Sequence, residues 1–160
     1  MSVLCCRVPH LLITLACRRT PALAGRPLAL LGPDERVWAA SPAALRLGVG
    51  VQLRPQQARA LCPDLLLHPL DLQDAEAQQG ALLAELAEWQ LPVEPQSWGG
   101  AYVDLHAVAE SAAAVQPLAA ALGRRLRSRL GGDLQPALGW DSGKFTANAA
   151  AAQRRDLPPT

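Results

Sequence analysis

Between residues 74 and 155 the chain alternates long stretches of helical periodicity with short apolar runs, and this alternation narrows the possible folds most. Leu82, Leu86 and Trp89 recur at i, i+4 and i+7, with Asp74 and Glu76 near the start, which predicts an amphipathic helix. Leu118, Leu122, Leu126 and Leu130 form the stripe of a second helix, from about Ser111 to the Gly131-Gly132 stop. Between the two, Val93 to Trp98 and Ala101 to Leu105 read as short strands around Gly99-Gly100. Gln135 to Trp140 predicts a further strand, and Gly143 to Arg155 a last helix before Pro158-Pro159. Ser2 to Val8 reads as an opening strand stopped by Pro9.

The segment after that first strand has a different texture of short elements. A helix is predicted over Leu11–Arg19, strands over Leu28–Leu31 and Val37–Ala40, and a helix over Pro55–Leu61. Ser41-Pro42 sets a cap residue before a proline at the first helical position, so a short helix should run to Leu47. The expected class is α+β: a split βαβ (ferredoxin-like) domain from residues 1–13 and 70–160, with a small lobe, 14–69, inserted after its first strand.

Composition limits the functions open to such a fold. Fifteen basic residues against fourteen acidic ones give a net charge of +1, so nucleic-acid binding is not announced by bulk charge and must come from a local patch. Cys5, Cys6, Cys17 and Cys62 lack metal-ligand spacing and fit buried thiols of a reduced, cytoplasmic protein. Leu11 to Cys17 imitates a lipoprotein signal, but its apolar stretch is too short and Arg18-Arg19 follow directly, so no export and no membrane is expected.

Several residues invite a sharper reading than they support. Asp104 and His106, two apart on a predicted strand, share a face, yet no nucleophile accompanies them and a structural hydrogen bond is the simpler role. Arg124, Arg125, Arg127 and Arg129 gather at a helix C-terminus, where cations offset the dipole and stay solvated. Trp38, Trp89, Trp98 and Trp140 are too dispersed for a stacking platform. Gly99-Gly100 reads as a tight turn, since no helix follows to complete an anion site.

A set of ordered motifs resembles the Y-family (UmuC/DinB-type) DNA polymerases. Arg18-Arg19-Thr20-Pro21 with Leu23 and Gly25-Arg26-Pro27-Leu28 is similar to the family's RR-D-P-x-L-x-G-x-P-L segment. Ala39-Ala40-Ser41 with Leu47-Gly48-Val49 looks like its TASYEAR…GV stretch, and Gln57 to Leu65 its EAKRLCPDL. Val93-Glu94-Pro95 leading to Ala101-Tyr102-Val103-Asp104 resembles VEPLSLDEAYLD, and Gly139 with Lys144-Phe145-Thr146-Ala147 resembles GVAPNKFLAK. The resemblance implies a palm with an inserted fingers lobe. By placing the last helix near the nucleic acid it makes Lys144, Arg154 and Arg155 candidates for DNA contact, although three charges imply only weak, salt-sensitive binding. It also implies that the chain stops before the thumb and the C-terminal DNA-gripping domain.

Within those motifs the resemblance identifies departures. Arg7 stands where the family has its first metal-binding Asp, and Gly99 and Gly100 stand for the two acids of the DE turn. The triphosphate-holding Tyr and Arg correspond to Pro42 and Leu45, and the aromatic gate to Leu12. The function expected on these grounds is a pseudo-enzyme most like the inactive ImuB group, with no metal or other cofactor. It would act in translesion synthesis and the SOS response as an adaptor for an active lesion-bypass polymerase, an accessory mutagenesis protein and the sliding clamp. The alternatives are a residual DNA polymerase using displaced acids such as Asp104 or Glu94, and a passive binder of damaged DNA.

Overall fold

The computed structural model describes residues 3–108, 112–141 and 144–154. The chain divides into two compact units, one of residues 1–9 and 78–160, the other of residues 10–77.

The first unit is built on a four-stranded sheet of β1 (Val3–Arg7), β5 (Val93–Pro95), β6 (Gly100–Asp104) and β7 (Ala137–Asp141), in the order β5-β6-β1-β7. All neighbours are antiparallel, with Cys5 opposite Tyr102 on one side and Gly139 on the other. It follows that β1 and β5 run parallel with β6 between them, and β6 and β7 run parallel with β1 between them. That is the split βαβ arrangement expected from the sequence.

Strand alternation gives the sheet two faces. Leu4, Cys6, Ala101, Val103 and Leu138 point one way and are buried, as are Leu82 and Leu86 of α4 (Leu72–Ala87). On α5 (Ala112–Leu130) the buried positions are Val115, Ala119, Leu122, Leu126 and Leu130. Gly123 of α5 sits on this face, where an added Cβ would lie 3.3 Å from Leu138. The predicted stripe through Leu118 is therefore corrected at its start: a residue every four drifts about 40° per step around a helix of 3.6 residues per turn, so Val115 and Ala119 take the core positions. The helix also runs through Pro117, at the loss of one ladder hydrogen bond.

The arginines closing α5 do more than offset its dipole. Arg129 Nε lies 2.8 Å from Glu85 of α4, a side chain only 8% exposed, and Arg125 pairs with both Glu85 and Glu88. The Arg125–Glu85 contact, at 3.1 Å, is an ion pair out of line for a hydrogen bond. Asp104 and His106 do not share a strand: β6 ends at Asp104, whose Oδ1 accepts the His106 backbone N–H at 2.9 Å in the turn that follows.

The opposite sheet face carries α6 (Lys144–Arg154), with Cys5, Ala147 and Ala151 buried together and Tyr102 packed against them. Gly139 allows this seating. A Cβ there would fall 2.1 Å from Ala151 N and 2.5 Å from Ala147 O, inside the helix backbone itself.

The second unit holds a three-stranded sheet, β3-β2-β4, made of β2 (Leu28–Leu31), β3 (Val37–Ala40) and β4 (Leu66–Pro69). With it are α1 (Leu11–Arg19), a 3-10 turn over Pro21–Leu23, α2 (Pro42–Arg46) and α3 (Pro55–Leu61). No strand is predicted from the sequence over 66–69; β4 forms there by pairing in parallel with β2, a long-range event that four residues cannot signal. Buried Ser41 is the unit's polar joint. Its Oγ accepts from Leu28 N (2.9 Å) and Ala44 N (3.4 Å) and donates to Arg26 O (3.3 Å).

Two substitutions test these joints by urea denaturation. Gly139→Ala is expected to lower the unfolding free energy by about 3 kcal/mol or to prevent folding, since neither colliding partner is a movable side chain. Ser41→Ala removes a cap and strands the Leu28 N–H, at an expected cost of about 1–2 kcal/mol.

Candidate functional site

The three positions singled out at the palm motifs come together. Arg7, the last residue of β1, is the cross-strand partner of Gly100, the first residue of β6, and Gly99 immediately precedes it. Ser97 to Gly100 form a turn closed by Gly100 N donating to Ser97 O (2.8 Å), with Gly99 at φ +76°, the third position that a type II turn reserves for glycine.

Every backbone group of the two glycines is engaged. Gly99 N donates to Gln79 Oε1 (2.8 Å), and Gly99 O accepts from Val8 N (2.6 Å). Gly100 O accepts from Gln96 N (2.9 Å) and from Gln79 Nε2 (3.4 Å). Gln79, on α4, thus clamps the turn from both ends, a role sequence reasoning missed because a lone glutamine on a helix carries no motif.

Around this strand end lies a set of polar groups on the α6 face of the sheet. Arg7 is exposed and its Nη1 donates to Asn148 Oδ1 at 3.2 Å; Cys5 Sγ approaches the same oxygen at 3.8 Å. Burial raises the Cys5 thiol above its usual range, against an opposing pull from Arg7, so it stays protonated and able to donate at neutral pH. Burial, with Cys5 beside it, pushes Cys6 to about 12 and leaves it inert. Lys144, one helical turn before Asn148, sits 5.7 Å from the Tyr102 ring centroid, within cation–π range, and pairs with Glu94. Glu94 is the cross-strand partner of Tyr102, which places it on the same face.

The other candidate positions lie in the second unit. Leu12 is buried on α1 and lines a cavity of about 450 Å³ together with Leu15, Leu30 and His68. At the rim, Arg19 pairs with Asp71 and Asp74. Pro42 opens α2 and Leu45 is 46% exposed, and neither lines that cavity. Arg154 ends α6, with only its backbone described, and Arg155 lies outside the described residues. Among the described residues no helix is long and apolar enough to cross a membrane.

The profile of the impB/mucB/samB family matches residues 8–152. The chain belongs to that family. DNA polymerase IV of Oceanobacillus iheyensis is 31% identical over 141 residues, covering 86% of this chain and 33% of that protein. DNA polymerase IV of Bacteroides fragilis is 30% identical over 140 residues, covering 86% and 38%. The chain thus spans a little over a third of these family members at most. Among solved structures, DinB from Sulfolobus solfataricus superposes with a TM-score of 0.81 at 19% identity, over 96% of this chain and 46% of that one. An insertion ternary complex of Dbh DNA polymerase gives 0.77 at 19% identity, over 99% and 47%. The fold is that of the Y-family palm and fingers.

Membership of the impB/mucB/samB family corrects one expectation. The view that the chain is no enzyme rested on six positions, Arg7, Gly99 and Gly100 at one strand end and turn with Leu12, Pro42 and Leu45 in the second unit, whereas its likeness to proteins named DNA polymerase IV, an enzyme, spreads over 86% of its length. Six positions speak only of one way to hold a cation and a triphosphate, and they do not outweigh that likeness.

They do bear on how a cation could be held. Mg²⁺ asks for hard oxygen ligands in near-octahedral array. The strand end offers a guanidinium and two glycines whose carbonyls are already hydrogen-bonded, and Glu94 is occupied by Lys144. Among the described residues no three His, Cys, Asp or Glu side chains gather to hold a metal. The residues at this site do not fit a divalent pair.

The turn is open to a direct test. Gly99→Ala forces a side chain into left-handed backbone and is expected to cost about 1–2 kcal/mol. Gln79→Ala should cost a similar amount, about 1–2 kcal/mol, by leaving the Gly99 N–H unpaired. Unchanged urea midpoints in both variants would show that the turn is not locked in this way.

Proposed function

We propose that the chain serves DNA synthesis across damaged template, meeting primer–template DNA at the sheet end where β1 finishes and β6 begins. The observation that carries this reading is the convergence there of Gly99 and Gly100 with the first turns of α6 around Arg7, which sets the family's motif positions beside one exposed guanidinium. The relatives named DNA polymerase IV and the palm-and-fingers fold support it. Lys144, Arg154 and Arg155 are further phosphate contacts in this reading, and the compartment is the cytoplasm. The expected DNA affinity is modest and falls steeply with salt, because few cations contribute.

A second reading has an observation of its own. Leu45, Leu47, Val51 and Leu61 are all exposed in the second unit, and Leu61 packs against Gly48, beside Leu47. Such a surface suits a protein partner. This favours an added ImuB-like adaptor role, in which the chain joins a lesion-bypass polymerase, an accessory mutagenesis protein and the sliding clamp.

Primer extension past a template lesion tests the first reading, with Mg²⁺ or Mn²⁺ present, using the chain alone and the chain added to a bypass polymerase. A changed yield of products beyond the lesion is expected in at least one arrangement, together with primer–template binding at low salt. A chain that neither binds primer–template nor alters the products overturns the proposal. The adaptor role predicts that Leu47→Asp with Leu61→Asp abolishes co-purification with the bypass polymerase while primer–template binding persists.

A further inference from the structure

Arg7 is a cation with most of its bonding capacity unused. A guanidinium presents five N–H donors and stays charged at any physiological pH. Here Nη1 is held by Asn148 Oδ1, and among the described residues no carboxylate pairs with Arg7. The contrast is with Lys144, whose charge is shared with Glu94 and the Tyr102 ring, and with Arg125 and Arg129, both committed to Glu85.

Asn148 is oriented by the same contact. Arginine can only donate, so the amide oxygen must face Arg7, and the Cys5 thiol approaches that oxygen too. The other end of the amide, Nδ2, is then a second donor beside the guanidinium. In the adjoining turn the Gly99 and Gly100 carbonyls are already engaged by Val8 N, Gln96 N and Gln79 Nε2. The strand end is therefore a surface of donors suited to an anion.

We propose that Arg7 binds a phosphate group directly, with Asn148 as the residue that positions it, at the place where the family's motif sets metal-binding acids. A carboxylate reaches phosphate only through an intervening cation, whereas a guanidinium reaches it through paired charge-assisted hydrogen bonds and needs no metal. The phosphate is either a phosphodiester of the primer–template or the triphosphate of a deoxynucleotide. This inference rests on the reading that the chain engages DNA during bypass, and it names the contact made.

The test uses the whole chain in the presence of a chelator, with two ligands measured separately: a labelled primer–template by fluorescence anisotropy, and a deoxynucleoside triphosphate by calorimetry. Wild type is compared with Arg7→Gln, Arg7→Lys and Asn148→Asp, each checked for folding by thermal melting. Asn148→Asp keeps the guanidinium but sets a carboxylate against it, so it decides the matter if Arg7→Gln fails to fold.

Binding of at least one ligand without metal is expected, weakened about tenfold by Arg7→Gln and by Asn148→Asp, with Arg7→Lys between them and wild type. If the primer–template is the ligand, the slope of log affinity against log salt should also fall by about one in Arg7→Gln. The ligand that responds identifies the source of the phosphate. Wild-type binding that vanishes in chelator, or variants that bind within about twofold of wild type, overturn the direct contact but leave the bypass reading standing. A wild-type chain that binds neither ligand under any condition overturns both.

Discussion

The seating of α6 directly on Gly139 is the contact from which the rest of the candidate site follows. Because β7 has no Cβ at that point, the backbone of Ala147 to Ala151 can lie on the sheet, and Ala147 and Ala151 fill the seam with Cys5. Helix geometry then fixes what the neighbouring positions can reach. Asn148 is brought to Arg7, and Lys144, four residues earlier, is brought over Tyr102. The specificity of the site thus depends on a missing side chain in one strand and a run of alanines in one helix.

Charge on this face is arranged by the same packing. Antiparallel pairing sets Glu94 opposite Tyr102, where it meets Lys144, and sets Arg7 at the end of β1 against the Asn148 amide. A near-neutral chain can in this way still present a cation. Bulk charge says little about a surface of this kind, because a guanidinium with no carboxylate partner among the described residues sets the local potential while acids elsewhere balance the total.

Most of the fold was legible in the sequence because its signals are local. Nearly every helix and strand is announced by apolar spacing or by proline and glycine stops, and the split βαβ order follows from their succession. β4 was not legible, since its existence depends on a parallel partner far along the chain. The site was half legible. Motif order brought Arg7, Gly99 and Gly100 into view, but Gln79, Asn148 and Glu85 belong to no motif and act only through contacts between elements. The larger misjudgement was to read the chain's chemistry from six motif positions, when the family likeness runs through the rest of the chain.

The Gly99-Gly100 turn carries an implication for how such a site can change over time. Gly99 sits in left-handed backbone, and a Cβ on Gly100 would press to 3.1 Å from Gln96 Cβ and 3.3 Å from Ser97 O. A side chain at either position therefore strains the loop, and Gln79 and Val8 both brace that loop as it stands. The turn thus ties distant positions to one another: a side chain gained at Gly99 or Gly100 asks for accommodating change at Gln96, Ser97 or Gln79.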